Sequence, residues 1–533
     1  MPVDFGQWLP DQPSLNNPGA KALINGFPTT RGFSAVPSAT ATTAPEQVTG
    51  GTTTAIPEIL GIYSTVEVTG ADIEARTYIG TASRLLKFDT LQSKFAEFTG
   101  SDPTYTNIPR WQFVEFATTG GTRYVYAAGG SSVTLQRFPS DGTAAPAAVS
   151  AVSSGTATPN ATHLAVVGRF LVCGNTSNSE AEVRWSQIDD GDSWTIGSNQ
   201  ADAQIIADAS EVTGLVGGET GLVLTREGLL RMQYVGAPLV FTFDKVSNLG
   251  CDFPGSVAAR SSDEVYYLSE DGFHRYAGGQ VANIGAQRVN DFFFSDFDRD
   301  AASRIACTID PVRSLVVWSY GSKSADTDTN DTLLVYDYTL DRWGMARIDH
   351  TTVGVTRQVG RTLESLDTDA SATIFARDGT EVQDRAGNTV LTRGGGIDSL
   401  TISFDSAAYQ GGQSILALAQ DTTDGTVLST LSGTPLPLTV QTGEFEPVET
   451  RHAMLRSVFP HIDGAADAEI RAQVSARTRQ VDSQIFGQVA TVNSANIIPL
   501  RKAGRYMALK FLASGNWSEA HGFSFDATAQ GRR

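Results

Sequence analysis

Cysteine and histidine are scarce in this chain of 533 residues, which contains three cysteines and six histidines. Cys173, Cys251 and Cys307 are odd in number and far apart, so a disulfide framework is not expected. No pair of cysteines or histidines has the spacing of a zinc site. We therefore expect buried free thiols and no bound metal.

Motifs that carry catalytic or cofactor chemistry are also missing. The sequence has no HExxH pattern, no Walker loop, no nucleophile elbow and no convincing dinucleotide fingerprint. We accordingly expect no catalytic residues and no cofactor. The protein is predicted not to be an enzyme.

Long hydrophobic runs are absent. No stretch of 18 apolar residues occurs, and the first ten residues lack the basic and apolar regions of a secretory signal. We expect a protein that does not span a membrane and that is assembled in a cytoplasm. Leu/Glu/Lys periodicity is missing too, whereas 52 glycines accompany abundant Thr, Ser and Val. This composition favours an all-β protein with many turns.

Positive charge is in deficit, because 39 Lys/Arg stand against 58 Asp/Glu and give a net charge of −19. Such a balance argues against a protein that grips nucleic acid by neutralising phosphates. Residues 451–533 differ, with 11 Lys/Arg against 6 Asp/Glu and a net charge of +5, so the remaining residues carry −24. The basic segment predicts either ordinary solvated strands or contact with an acidic partner or a second subunit.

Residues 1–54 are predicted to form an extended N-terminal arm and linker. Prolines interrupt any regular element, and residues 35–54 are a low-complexity Thr/Ala/Gly stretch. Phe5, Trp8 and Phe27 are the candidate anchors. They are expected to pack on the arm's own domain or along a neighbouring surface.

Residues 55–392 repeat a pattern of short strands and glycine turns, clearest in Ser256–Ile284, SVAARSSDEVYYLSEDGFHRYAGGQVANI. Seven units begin near residues 58, 108, 161, 211, 255, 303 and 350, and the weakest covers residues 351–390. Their spacing is the length of a four-stranded blade. The sequence predicts a β-propeller of about seven blades, with six or eight left open.

The character of the sequence changes after Arg393-Gly394-Gly395-Gly396. Alternating strands without the blade spacing follow, among them LTISFDSAAY, EIRAQVSART and YMALKFLA. Residues 393–533 are predicted to form a C-terminal antiparallel β-sandwich-like platform domain.

The sharpest local motif is SQIDDGDSW, in which Ser186, Asp189, Gly191 and Trp194 resemble the Asp-box of sialidase-like propellers with one extra residue after the serine. The Asp189 carboxylate is expected to cap backbone amides of a hairpin turn, with Trp194 packed beneath it. The motif is therefore predicted to be structural.

Two other patterns, a set of arginines and an acidic loop, each have a functional and a simpler interpretation. A sialidase would need clustered arginines with a Tyr/Glu pair, and Arg123, Arg184, Arg231 and Arg275 are the available arginines. The acidic loop Asp326–Asp331 has alternating oxygen ligands but lacks the Gly and Glu of an EF-hand loop. A solvated loop is favoured there, with Ca²⁺ binding left open.

Several stretches together resemble one family of virion proteins: FGQWLPDQPSLNNPGAKALINGFPTTRGFSAVPS, WSQIDDGDSWT, GCDFPGSVAARSSDEVYYLSEDGFHRYAGG and GEFEPVETRHAMLRSVFPHIDG. They are similar to the tail nozzle or hub proteins, also called tail tubular protein B, of short-tailed bacteriophages. The resemblance implies a structural virion protein that forms a homohexameric ring in the phage tail, assembled in the bacterial host cytoplasm.

The same resemblance implies the partners. Such a ring contacts a portal-adaptor ring and tail fibres or other tail proteins, and double-stranded DNA passes through its channel without specific binding. A lumen lined by Asp and Glu would repel phosphates. The alternative function is a glycan-binding or sialidase-like propeller, which predicts an arginine-lined pocket on the propeller axis.

Overall fold

The computed structural model describes residues 2–49, 52–69, 72–89, 94–98, 105–152, 158–326, 329–357, 413–464 and 467–530. Strands dominate these residues, and the predicted all-β class is confirmed. The helical segments within them are short: α1 (Val149–Val152), α2 (Asn290–Asp296) and the 3₁₀ turns Pro254–Ser256 and Arg299–Arg304.

The N-terminal segment, predicted to be an extended arm and linker, contains short strands that pair with other parts of the chain. Prolines and turns keep each strand brief, and the partners of most of them lie far away in the sequence. These strands are β1 (Pro2–Asp4), β2 (Ala20–Ile24), β3 (Gly26–Pro28), β4 (Phe33–Ala35), β5 (Pro37–Ala41), β6 (Glu46–Thr49) and β7 (Thr52–Ala55).

Blades one to three follow in chain order, each an antiparallel meander joined by tight turns. Blade one is widened by β6 and β7, and the short strand β14 pairs with the first strand of blade three. Blade one contains β8 (Ile59–Thr69), β9 (Asp72–Thr81), β10 (Leu85–Asp89) and β11 (Lys94–Glu97); blade two contains β12 (Gln112–Ala117), β13 (Arg123–Ala128), and, after β14 (Gly130–Thr134), β15 (Gln136–Pro139) and β16 (Ala147–Ala148); blade three contains β17 (Asn160–Val167), β18 (Phe170–Thr176), β19 (Glu182–Trp185) and β20 (Asp202–Ile205).

Blades four to six repeat the meander. In blade five, Gly272 supplies the positive φ of +127° that its tight turn requires. Blade four contains β21 (Val212–Val216), β22 (Gly221–Thr225), β23 (Gly228–Gly236) and β24 (Val240–Ser247); blade five contains β25 (Ala258–Ser261), β26 (Glu264–Ser269), β27 (Gly272–Ala277) and β28 (Gln280–Asn283); blade six contains β29 (Ala306–Asp310), β30 (Leu315–Tyr320), β31 (Asn330–Asp337) and β32 (Arg342–His350).

Blade seven is built from distant parts of the chain. Its strands β33 (Thr352–Arg357), β34 (Ser414–Thr422) and β35 (Gly425–Pro435) form a meander, and β5 of the N-terminal segment supplies the outer strand. The predicted domain boundary at 392/393 and most of the predicted unit 351–390 lie outside the described residues. However, β34 and β35 lie within residues 393–533, which were predicted to form the C-terminal domain, and they pair with β33 as part of the propeller. The local sequence patterns did not reveal this pairing.

The blades close into a ring whose described part has seven blades. The first and last blades meet where the Thr77 and Thr356 hydroxyl oxygens lie 3.1 Å apart. Blades two and three are joined by a 3.1 Å hydrogen bond from the Leu164 backbone N–H to the Gln112 side-chain oxygen. A closed ring leaves no innermost strand without neighbours.

Two sheets facing each other form the C-terminal sandwich. One has the order β2-β36-β41-β38-β39. The other is continuous with blade six, because β3 pairs with β32 and leads through β4 to β42, β37 and β40, with β1 beside β42. Phe511 and Phe523 pack between them with ring centroids 5.2 Å apart. The strands are β36 (Leu438–Thr442), β37 (Ala453–Gly464), β38 (Glu469–Arg477), β39 (Ala490–Thr491), β40 (Ile498–Gly504), β41 (Tyr506–Ser514) and β42 (Trp517–Ala529).

The N-terminal segment connects the sandwich to the propeller. Trp8 is fully buried, and its ring lies 4.9 Å from the ring of Phe292 in α2. The Asp11 carboxylate accepts the backbone N–H groups of Asp291 and Phe292 at 2.9 and 2.8 Å, at the start of that helix. Burial raises the pKa of Asp11 despite these contacts. Of the two placements expected for the anchors, the structure has the one on the chain itself.

Replacing Trp8 with alanine should lower the free energy of unfolding by about 3–5 kcal/mol, because it leaves a cavity at this junction. Urea unfolding followed by circular dichroism measures the change. The matched variant Ile24→Ala removes a side chain that is 39% exposed in the same segment and should change stability by only about 0.5 kcal/mol. Equal effects of the two substitutions would contradict the anchoring role of Trp8.

Candidate functional site

A cavity of about 510 Å³ lies at the end of the propeller where the innermost strands begin. Segments that lead into β12, β25 and β29 line it, together with the start of β17 and hairpin turns of blades four and five. Convergence of several blades places this cavity near the propeller axis. Its lining residues are Pro109, Arg110, Gln112, Thr162, His163, Arg226, Asp252, Phe253, Pro254, Gly255, Glu270, Arg299, Ala302 and Ser303.

A second cavity of about 310 Å³ continues from the first. The beginnings of β8, β29 and β33 contribute to it, so it extends between the innermost strands. Arg110 lines both cavities. This side chain therefore lies where the two cavities adjoin.

Arg110 is held in place by the residue that follows it. Trp111 is 3% exposed, and its indole N–H donates to the Thr81 carbonyl at 2.8 Å while its backbone N–H donates to the Leu60 carbonyl at 3.0 Å. The Arg110 guanidinium donates to the Ile305 carbonyl. Burial lowers the pKa of Arg110 to about 10, because a charged group loses hydration among packed neighbours.

Gly255 makes the approach of Arg110 to the Ile305 carbonyl possible. A Cβ atom at this position would collide with the Ile305 carbonyl oxygen and with the guanidinium nitrogens of Arg110. Glycine is thus required by the close packing of the site and not by its backbone torsion. Arg110 and Gly255 thus lie together where the linings of the two cavities meet.

His163 lines the same cavity and is 3% exposed. Among the described residues, neither of its ring nitrogens finds a hydrogen-bond partner, which is rare for a buried polar group and costs free energy. Burial, and secondarily the charge of Arg110, lowers the pKa of His163 to about 4. The imidazole is therefore neutral at pH 7 and has one N–H donor to offer.

The carboxylates of the cavity are engaged elsewhere or exposed. Asp252 accepts the Ser269 hydroxyl at 3.0 Å and the backbone N–H of Glu270 at 2.8 Å. Arg226 pairs with Glu211, which is outside the cavity. Arg110 makes no ion pair with any residue that the structure describes. Within the part of the chain that the structure describes, no carboxylate is paired directly with its positive charge.

The Asp-box-like turn lies between β19 and β20, away from this cavity. Trp194 is fully buried, and its indole N–H donates to the Gly191 carbonyl at 2.9 Å. The buried Ser186 hydroxyl accepts the backbone N–H of Leu171 at 3.1 Å. These contacts place the serine and the tryptophan in the hairpin as a structural motif requires.

The acidic part of this turn differs from the expectation. The carboxylate that accepts a turn amide is that of Asp190, which receives the Asp192 backbone N–H at 2.9 Å. Asp189 instead has a φ of +55° and pairs with Arg169. The extra residue after the serine moves the capping position by one. Asp192 accepts the Tyr126 hydroxyl at 3.0 Å, so the turn also fastens blade three to blade two.

The arginines considered for a sialidase do not converge. None of them lines the axial cavity, and Arg110, Arg226 and Arg299 are the arginines that do. Arg123 pairs with Glu115 at 2.7 Å, Arg231 with Asp244 at 3.6 Å and Arg275 with Glu264 at 2.6 Å, and Arg184 donates to the Trp194 carbonyl at 2.7 Å.

The acidic loop after β30 is only partly described, because residues 327 and 328 lie outside the described ranges. Asp331 accepts the Ser322 backbone N–H at 2.9 Å and pairs with Arg347 at 2.8 Å. Asn330 is fully buried and donates to the Ser319 hydroxyl at 2.8 Å. These two residues therefore serve the packing of blade six.

The thiols of Cys173, Cys251 and Cys307 are free, and burial raises the pKa of each. Among the described residues, no group of three or more His, Cys, Asp or Glu side chains could hold a metal ion. No helix in the described ranges is long and apolar enough to cross a membrane.

Comparison with known proteins gives distant structural likenesses. No family profile and no curated protein matches the sequence. Similar structures include an extracellular domain described as part of a hybrid two-component system from B. thetaiotaomicron (11% identity, 87% of this chain, 48% of that chain, TM-score 0.28). Another is dihydro-heme d1 dehydrogenase NirN (9% identity, 80% of this chain, 72% of that chain, TM-score 0.30). A third is an ancestral GH74 enzyme (9% identity, 70% of this chain, 56% of that chain, TM-score 0.28). The chain thus spans about half the length of the first of these, and at such TM-scores none carries an argument about function.

Replacing Trp194 with alanine should destabilise blade three by about 3–5 kcal/mol, because the ring is fully buried beneath its turn. Hydrogen exchange of the β18 and β19 amides measures the local effect. The matched variant Ile196→Ala changes a residue that is 56% exposed and should stay within about 0.5 kcal/mol. A change that small for Trp194→Ala would refute the structural role of the turn.

Stability should fall as the pH drops from about 6.5 to 4. Burial lowers the pKa of His163 and of His350 to about 4, whereas the unfolded chain has histidines near 6.5. In this window the unfolded state binds more protons, so stability is present above it and is lost within it, by about 3 kcal/mol for each histidine.

The variant His350→Asn removes one of these two groups. The difference between its urea-unfolding free energies at pH 7 and pH 4.5 should therefore be smaller than that of the unmodified chain. His452→Asn, at a partly exposed residue, is the matched control. Identical pH differences in all three proteins would argue against neutral burial of His350.

Proposed function

We propose that this protein is a structural, non-enzymatic virion subunit of a short-tailed phage. In this proposal it forms the tail nozzle or hub ring, through which double-stranded DNA leaves, and it docks the adaptor ring and the fibres. The sequence resemblance described above is the starting point. The arrangement of the residues that carry this resemblance adds support.

The observation that carries the proposal is the position of the N-terminal stretch. This stretch is one of those that carry the resemblance, and the N-terminal segment that contains it has strands in both modules: β2 in the sandwich and β5 in blade seven. Phe33 is fully buried in the core beneath the sandwich. The propeller and the sandwich are thus connected by strands of one N-terminal segment. Such a connection suits a subunit that transmits force rather than one that turns over a substrate.

An exposed loop of the sandwich supports assembly with further copies. Val481 and Ile485, between β38 and β39, are 84% and 73% exposed. The loop is nevertheless held, because Arg479 pairs with Asp482 at 3.0 Å and the Gly487 N–H donates to the Val474 carbonyl at 3.0 Å. An ordered loop that presents apolar side chains is typical of a protein–protein contact.

The charge distribution supports a head-to-tail contact between copies. Residues 451–533 carry +5, whereas the rest of the chain carries −24. A ring needs two different surfaces on each subunit, and the basic sandwich of one copy complements the acidic propeller of the next. An acidic balance also suits a conduit that must release DNA.

Native mass measurement of the purified protein tests this function. We expect six copies in a ring with a central opening, visible by negative-stain microscopy, at low micromolar concentration. The double variant Val481→Asp with Ile485→Asp should shift the mass to that of a single chain. Val312→Asp, which changes an exposed residue of the propeller, should leave the ring intact. A monomer that cleaves a sialoside would overturn the proposal.

For the alternative, a sialidase-like propeller, one feature of the axial cavity is favourable and one is unfavourable. The axial cavity does contain arginines, namely Arg110, Arg226 and Arg299. The tyrosine nucleophile that such an enzyme uses is not among the described residues that line it. Hydrolysis is therefore not part of our proposal.

A further inference from the structure

The axial cavity has the dimensions and the lining of a ligand site. Its volume of about 510 Å³ lies within the range that small organic ligands occupy. Pro109, Phe253, Pro254 and Ala302 give it a largely apolar wall. Hydrophobic walls with a few placed polar groups are the usual composition of such sites.

Several polar groups line this wall, and two of them matter for a ligand: a cation, Arg110, and a neutral donor, His163. Of the two carboxylates on the wall, that of Asp252 already accepts two hydrogen bonds and that of Glu270 belongs to an exposed residue. Arg110 has one described contact, to the Ile305 carbonyl, and no described carboxylate lies within ion-pair distance of it. Arg110 is partly exposed and lines the cavity, and its guanidinium can form charge-assisted hydrogen bonds with an incoming anion. Arg226, in contrast, is already neutralised by Glu211.

His163 is the second polar group. It is 3% exposed, and neither ring nitrogen has a partner in the described ranges. A buried imidazole gains a hydrogen bond when an acceptor reaches it. Arg110 and His163 line the same cavity, so one ligand group that enters it can contact both.

We infer that the axial cavity binds a small organic carboxylate, whose carboxyl group pairs with Arg110 and accepts from His163 while its apolar body lies against Phe253 and the neighbouring prolines. The planar guanidinium matches a carboxylate in geometry. The apolar wall favours a ligand with a hydrophobic body over a compact inorganic anion. This inference is independent of ring assembly, because the cavity lies inside one propeller.

Titration calorimetry with three probes tests the inference on the full-length protein. Benzoate carries a carboxylate on an apolar ring, benzamide has the same shape without charge, and inorganic phosphate has charge without an apolar body. We expect benzoate to bind at least about tenfold more tightly than either of the others. Benzamide binding as tightly as benzoate, or phosphate binding more tightly, would overturn the carboxylate assignment, as would the absence of benzoate binding.

Substitutions locate the binding. Arg110→Gln removes the charge but keeps a donor for the Ile305 carbonyl, and it should weaken benzoate binding about tenfold or more. His163→Phe should weaken it about threefold or more and provides a second variant if the first is unstable. Arg231→Gln, at an exposed arginine outside the cavity, is the matched control and should bind as the unmodified chain does. Unchanged benzoate binding by a folded Arg110→Gln protein would refute the site.

Discussion

The backbone hydrogen bonds between β5 and β35 are the interaction on which the architecture depends. The pairing joins Thr40 to Thr430 and Ala39 to Leu431, across almost four hundred residues of sequence. It completes blade seven and covers an edge that would otherwise be open to other chains. β2 and β4 of the same segment are paired within the sandwich. The N-terminal segment therefore both completes the propeller ring and attaches the sandwich to it.

The blade spacing could be predicted from the sequence because each blade is a local meander. The predicted starts near 58, 161 and 211 correspond to strands that begin at Ile59, Asn160 and Val212. Glycine turns and alternating β-branched residues mark such units over about fifty residues of chain. The N-terminal strands could not be predicted in the same way, since short strands interrupted by proline reveal nothing about partners hundreds of residues away.

The residues of the candidate site, like the N-terminal strands, could be predicted only where a local sequence pattern marks them. Trp194 could be found because it ends a recognisable turn motif, and its full burial agrees with the expected packing. Arg110 and His163 gave no local signal: one precedes a tryptophan at a strand entrance, and the other sits in an apolar strand. Only the radial arrangement of the blades brings them to one cavity. Among the described residues Arg110 has no paired carboxylate and the ring of His163 has no hydrogen-bond partner, and such features arise only in the folded chain.

The structural account rests on the claim that the N-terminal segment makes the propeller and the sandwich a single cooperative body. Hydrogen–deuterium exchange of the intact protein measures this most directly. The account predicts that the amides of β5 in blade seven and of β2 in the sandwich exchange together, with the slow rate of the core strands. Rapid exchange of these two strands, with slow and separate exchange of the propeller and the sandwich, would contradict it.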